Sequence, residues 1–202
     1  MRETAAFGAL LIALVIAAGI WLTTVSAPDL LWIGVAGLVI GWAYSALPLK
    51  LNSRGLGEAC VWASFALIAV GTDFVQRRSF LALPLIAVTS YALLVTCILF
   101  INQFPDRKAD ESAGKHHWVV RPGASRARWC YLLIGTVIAG ALPWSASVAL
   151  SPALLSLRAV QDLLRYAESP TKLAPAIQLT IGAVSLHGIL LAASLVAARL
   201  LA

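Results

Sequence analysis

The chain has 202 residues, of which 60% are hydrophobic and 12% charged, and its mean hydropathy is +0.88. This composition excludes an ordinary soluble domain and points to a polytopic membrane protein. The net charge of +6 and pI near 9.7 come from basic residues scattered over short loops, which suits anionic headgroups or phosphates at a membrane and not nucleic acid.

A hydrocarbon core about 30 Å thick needs about 20 apolar residues per helix. On that criterion the sequence predicts an all-α transmembrane bundle, a single membrane domain over 1–202, with spans at about 5–25, 30–48, 57–75, 81–101, 128–149, 151–167 and 175–199. The first span could pass for a signal peptide, because Val25-Ser26-Ala27 resembles a cleavage site. Its short charged flank (Arg2 offset by Glu3), its long apolar run and Pro28 favour a retained helix.

Between the second and third spans lies Tyr44 to Glu58, with Pro48, Gly55 and Gly57 allowing an irregular turn, Lys50 and Arg54 offering cations, and Tyr44 a phenol. Taken alone this is a basic membrane anchor with an interfacial tyrosine. After the fourth span comes Asn102 to Arg121, which is more specific. Asp106 and Asp110 are spaced to stack on one helix face, and Asn102, four residues earlier, adds an amide oxygen. Hydrated Mg²⁺ held by one or two carboxylates usually completes its shell with substrate phosphates, whose remaining charge Lys115 and Arg121 can meet. The competing reading is a solvated loop, and Pro105 predicts a kink or a new helix start just before Asp106.

The sixth span carries Arg158, Gln161, Asp162 and Arg165 near helical spacing, so an interfacial amphipathic helix is an alternative there. Cys60, Cys97 and Cys130 read as small buried hydrophobes, and His187 as a satisfied interhelical hydrogen-bonding group. His116 and His117 are adjacent and so poor joint ligands. With the N-terminus inside, 12 of the 15 Lys and Arg residues fall on the inner side, leaving Arg77, Arg78 and Arg199 outside. Both polar loops are then cytoplasmic.

The ordered runs Tyr44-Ser45 through Pro48-Leu49-Lys50, Arg54-Gly55-Leu56-Gly57-Glu58, Gly71-Thr72-Asp73-Phe74-Val75-Gln76 and Asn102 to Arg121 together resemble the UbiA superfamily of intramembrane aromatic prenyltransferases. Within it they are similar to the branch of 1,4-dihydroxy-2-naphthoate polyprenyltransferases of menaquinone synthesis. The resemblance implies a nine-helix bundle with a central cavity open to lipid, in which two Asp-rich motifs bind Mg²⁺ and an isoprenoid diphosphate. The second motif corresponds to Asp106 and Asp110, with Asn102 before them, as metal ligands. Lys50, Arg54, Lys115 and Arg121 are then diphosphate contacts, and Tyr44 a catalytic aromatic ring. Lys50 falls six residues after Tyr44, whereas some members use four.

The first Asp-rich motif of the family would precede the first span, and Asp29, Asp73 and Asp162 have no carboxylate four residues away. The expectation is therefore seven of the family's nine helices, half of a metal site, and weak activity without a partner that supplies the rest. The implied substrates are an isoprenoid diphosphate and an aromatic acceptor, in the inner (plasma) membrane. The alternative from a different class is a non-catalytic membrane subunit, or an anionic-lipid-binding or transport protein.

Overall fold

The computed structural model describes residues 2–80, 82–140 and 146–200. Seven α-helices follow one another: α1 (Arg2–Val25), α2 (Leu30–Ser45), α3 (Gly57–Arg77), α4 (Ala82–Ser112), α5 (Ala124–Gly140), α6 (Ala146–Tyr166) and α7 (Ala174–Leu200). Short 3₁₀ turns at Leu51–Ser53 and Pro170–Lys172 join α2 to α3 and α6 to α7. Among the described residues α1, α3, α4 and α7 are long and apolar enough to cross a membrane, and α2 is a shorter apolar helix. The fold is all-helical, as expected. Residues 141–145, inside the expected span 128–149, and residue 81, at the start of 81–101, lie outside the described residues.

Of the two outcomes expected at Pro105, a kink or a new helix start, the new start does not occur. Helix α4 runs on past the apolar stretch ending at Ile101, with Pro105 inside it, to Ser112. A proline inside a helix removes one backbone donor and crowds the carbonyl four residues back, which bends a helix without having to end it, and the helix beyond it is closed at Gly114, whose φ of +75° reverses the chain at little cost. The Lys115 N–H then folds back to the Asp110 carbonyl at 2.9 Å.

The packed core lies among α4 to α7. Phe100, Ile101 and Phe104 of α4 meet Tyr131 of α5, Leu163 of α6 and Val184 of α7. Phe100 contacts Phe104 edge-on, with ring centroids 5.7 Å apart. Polar side chains buried in this layer pair across helices: Tyr131 Oη lies 2.7 Å from Thr180 Oγ1, and His187 Nε2 lies 3.1 Å from Ser90 Oγ, so His187 is the interhelical hydrogen-bonding group expected of it. Helix α6 is amphipathic. It buries Ala159, Val160 and Leu163 and exposes Arg158, Gln161 and Arg165.

Helix α1 is the opposite case, its apolar window having no buried residue. An apolar groove of about 520 Å³ separates it from α2 and α3, bordered by Gly19, Ile20, Gly34, Gly37, Leu67 and Gly71. At the far end of α3, Arg78 Nη2 donates to the Val25 carbonyl at 3.0 Å and so ties α3 to the end of α1.

Candidate functional site

Because α2, α3 and α4 alternate in direction, the loop after α2 and the segment after α4 emerge at the same end of the bundle. They are stitched together there. The His116 N–H donates to the Ser53 carbonyl at 2.7 Å, Trp118 Nε1 to the Gly55 carbonyl at 2.7 Å, and Arg121 Nη2 to the Arg54 carbonyl at 2.9 Å. Arg54 braces its own loop through Nη2 to the Pro48 carbonyl at 2.8 Å. Gly55, at φ +81°, supplies the left-handed turn that presents its carbonyl to Trp118; a Cβ there would lie 3.6 Å from Trp118 Nε1.

Within this knot Asp110 has two partners. Lys115 Nζ donates to Oδ1 at 2.7 Å, and His117 Nε2 sits 3.0 Å from Oδ2. The Val119 N–H points at His117 Nδ1, 3.3 Å away. Nδ1 is therefore an acceptor, the proton resides on Nε2, and His117 donates to the carboxylate. His117 is buried and His116 exposed, so the two imidazoles are not joint ligands of anything. Burial alone would raise the Asp110 carboxyl, but the hydrogen bonds from Lys115 and His117, with the positive charge of Lys115, outweigh it and hold the group below its ordinary value.

Asp106 is exposed, one turn earlier on α4. Asn102 is one turn earlier again, and its Nδ2 donates to the Ile98 carbonyl at 2.8 Å, leaving the amide oxygen as its free acceptor end. Tyr44 closes α2 with its ring against the start of α3, where a Cβ on Gly57 would lie 3.7 Å from Tyr44 Cε2. Lys50 stands on the exposed rim in a left-handed conformation, φ +41°. The structure thus gathers Arg54, Asp110, Lys115 and Arg121 into one stitched end with Tyr44 beneath it, and leaves Lys50 and Asp106 at its margin.

Three residues without a role in the sequence reading belong to this region. His117 orients Asp110. Glu58 and Gln103 form a hydrogen bond between α3 and α4, Gln103 Nε2 donating to Glu58 Oε1 at 2.7 Å. The position of Glu58 inside the quoted run Arg54 to Glu58 was the only signal for it.

The donor set tests directly whether a cation fits. Asn102, Asp106 and Asp110 offer hard oxygen atoms at successive turns of one helix face, which suits a hydrated divalent ion that takes its other ligands from phosphate. Among the described residues no three His, Cys, Asp or Glu side chains form a metal cluster. Asp110 Oδ1 is itself occupied by Lys115 Nζ at 2.7 Å.

The model of the UbiA prenyltransferase family matches residues 1–181. The 1,4-dihydroxy-2-naphthoate octaprenyltransferase of Mycobacterium leprae (strain TN) is 30% identical over 154 residues, 72% of this chain and 52% of that protein. The protein of the same name from Mycobacterium tuberculosis (strain ATCC 25618 / H37Rv) is 30% identical over 150 residues, 70% of this chain and 51% of that protein. For the Escherichia coli (strain K12) protein of that name the figures are 33% over 91 residues, 44% and 30%. The chain spans about half the length of the mycobacterial relatives it matches. No solved structure matches it.

Proposed function

Since this chain belongs to the UbiA prenyltransferase family, we propose that it acts in the transfer of a polyprenyl group from an isoprenoid diphosphate to a 1,4-dihydroxy-2-naphthoate-like ring, within the inner (plasma) membrane and with the stitched end facing the cytoplasm. The observation that carries this reading is the pairing of Asp110 with Lys115, one turn from Asp106, at the end of a long apolar helix. A carboxylate and an ammonium side by side can receive a cation and a phosphate together.

In this reading Asn102, Asp106 and Asp110 hold a divalent ion, Mg²⁺, which when bound neutralises the diphosphate and favours its departure. Lys115, released from Asp110, turns to the phosphate oxygens. Arg54 and Arg121 already spend one guanidinium nitrogen each on loop carbonyls, so their remaining donors approach phosphate from a fixed base, and Lys50 adds charge from the rim. His117 keeps Asp110 oriented throughout. The Tyr44 ring offers a π face to positive charge developing on the allylic carbon. The new bond forms between that carbon and an electron-rich ring carbon, the bond to the diphosphate oxygen breaks, and the attacked ring carbon then gives up the group it carried, a proton or carbon dioxide, to restore the aromatic ring.

The test is calorimetric binding of a prenyl diphosphate to the detergent-solubilised chain, with Mg²⁺ and with chelator. Asp106→Asn and Asp110→Asn should each weaken the Mg²⁺-dependent binding at least tenfold, because each removes an anionic ligand from a hard cation. Wild-type affinity in both variants would sink the site. Binding indifferent to metal would favour an anionic-lipid-binding role, for which the basic rim is the supporting feature.

A further inference from the structure

Helix α6 carries a polar stripe along its exposed face. Arg158, Gln161 and Arg165 follow one another at helical spacing, all of them exposed. Asp162 is the one acid of this helix, yet the ion pairs among the described residues are Arg77 with Asp73, and Asp110 with Lys115 and His117. Neither guanidinium of the stripe is matched by a carboxylate there. Leu154 and Leu157, 65% and 56% exposed, continue the same face towards the middle of the helix.

The depth of the stripe follows from α7. Helix α6 returns through the short turn Pro170–Lys172 into α7, and a Cβ at Gly182 would lie 3.8 Å from Leu155 Cδ1, so the two helices run antiparallel side by side. Gly182 lies eight residues, about 12 Å of helix, inside the apolar span Ala174–Ser194. Counted back from Leu155, Arg158 is then roughly 7 Å inside the level at which that span begins, and Arg165 roughly 3 Å outside it. A second marker agrees. Arg128 Nη1 donates to the Leu164 carbonyl at 2.7 Å, and beside it stands Trp129, 54% exposed, with its ring centroid 5.6 Å from Arg128 Cζ. Exposed tryptophan favours the membrane–water interface.

An arginine rooted below the hydrocarbon edge without a partner is costly, and its long side chain lowers that cost by reaching up to an anion at the headgroup level. Arg158 and Arg165 approach this level from opposite sides. A phosphate diester with acyl chains satisfies the guanidiniums and the leucines together, whereas a zwitterionic headgroup brings its own cation against them. We propose that this face of α6 binds one anionic phospholipid, its phosphate shared by Arg158 and Arg165, Gln161 donating to headgroup oxygens between them, and its chains lying along Leu154 and Leu157. Arg128 adds positive charge from α5. The site is separate from the stitched end and independent of the prenyltransferase reading.

The experiment titrates the full chain in a non-ionic detergent with dioctanoyl phosphatidylglycerol and with dioctanoyl phosphatidylcholine by microscale thermophoresis, and repeats the first titration in excess inorganic phosphate. Wild type should hold the phosphatidylglycerol at least tenfold more tightly, and the phosphate should not displace it. Arg158→Gln and Arg165→Gln should each weaken phosphatidylglycerol about fivefold, the effect of one basic residue near an anionic surface, and leave phosphatidylcholine unchanged. Lys108→Gln removes the same charge from an exposed position near the end of α4 and should change neither affinity. All three side chains are exposed, so the core is intact in every variant. Wild-type affinity in both arginine variants, equal losses in all three variants, or equal affinity of wild type for the two lipids would each overturn the proposal. Displacement by inorganic phosphate would assign the arginines to a free anion and overturn it as well.

Discussion

In α4 and α6 the side chains of Phe100, Ile101 and Leu163 are 1%, 0% and 1% exposed, whereas in α1 Leu10, Leu14 and Val15 are 56%, 56% and 65% exposed. Yet the α1 sequence is nearly continuously apolar. The difference shows that apolarity places a helix in the bilayer and does not dock it, because lipid tails solvate leucine as well as another helix does. What docks α4 to α7 is shape and polar pairing: the Phe100 ring against Tyr131, Tyr131 with Thr180, and His187 with Ser90. Helix α2 turns glycines outward, and a Cβ added at Gly34, Gly37 or Gly41 would meet nothing within 4 Å.

The sharpest way to break this contrast is to truncate one side chain on each side of it. Phe100→Ala should cost about 2 kcal/mol, mostly the cavity left behind, since transfer from water contributes little when the unfolded helix stays in lipid. Leu14→Ala should cost under about 0.5 kcal/mol. Thermal unfolding in a single detergent compares the two, and equal losses would refute the division. Next comes a pair of glycines. A Cβ at Gly188 would fall 2.9 Å from Tyr91 Cε2, so Gly188→Ala should destabilise by roughly 1 to 2 kcal/mol, while Gly34→Ala should be neutral or slightly stabilising through helix propensity.

A smaller effect separates the stitched end from both halves. Trp118→Phe deletes the hydrogen bond to the Gly55 carbonyl and should cost about 1 kcal/mol. Its signature is local: faster amide exchange at residues 50–56, with α1 and α7 unchanged. The smallest effect is with acid. The folded Asp110 carboxyl is held below the unfolded value, so its contribution is complete above the ordinary carboxyl value of 3.8 and fades as the pH falls below that, through the lowered one. The unfolding midpoint of wild type should drop over that interval more than that of Asp110→Asn, and parallel curves would argue that the brace contributes nothing.

The helices were legible in the sequence because a bilayer demands long apolar runs. Their ends were less so. Pro105 argued for a kink or a new start on a local rule, and α4 continues through it as one helix. Lys115 was readable as a companion of Asp110 because both lie in one short polar segment. His117 was not, because it reaches the carboxylate only after Gly114 turns the chain. Trp118 with Gly55 and Arg121 with Arg54 are 63 and 67 residues apart, and nothing local encodes either contact. Glu58 escaped notice for another reason: an acid in the first turn of a helix is well explained by the helix dipole alone.

The uninterrupted length of α4 also acts as a ruler. At about 1.5 Å per residue, counted from Ile101 where the apolar stretch ends, Asp106 stands roughly 8 Å and Asp110 roughly 14 Å along the axis beyond the hydrocarbon edge. The headgroup layer is about 5 to 8 Å deep on each side, so with the hydrocarbon edge at Ile101 Asp106 falls at its outer face and Asp110 roughly 6 Å beyond it. In the proposed reading, a diphosphate whose tail stays in the bilayer meets Asp106 before Asp110. A helix broken at Pro105 would have laid both along the surface and lost that gradation in height.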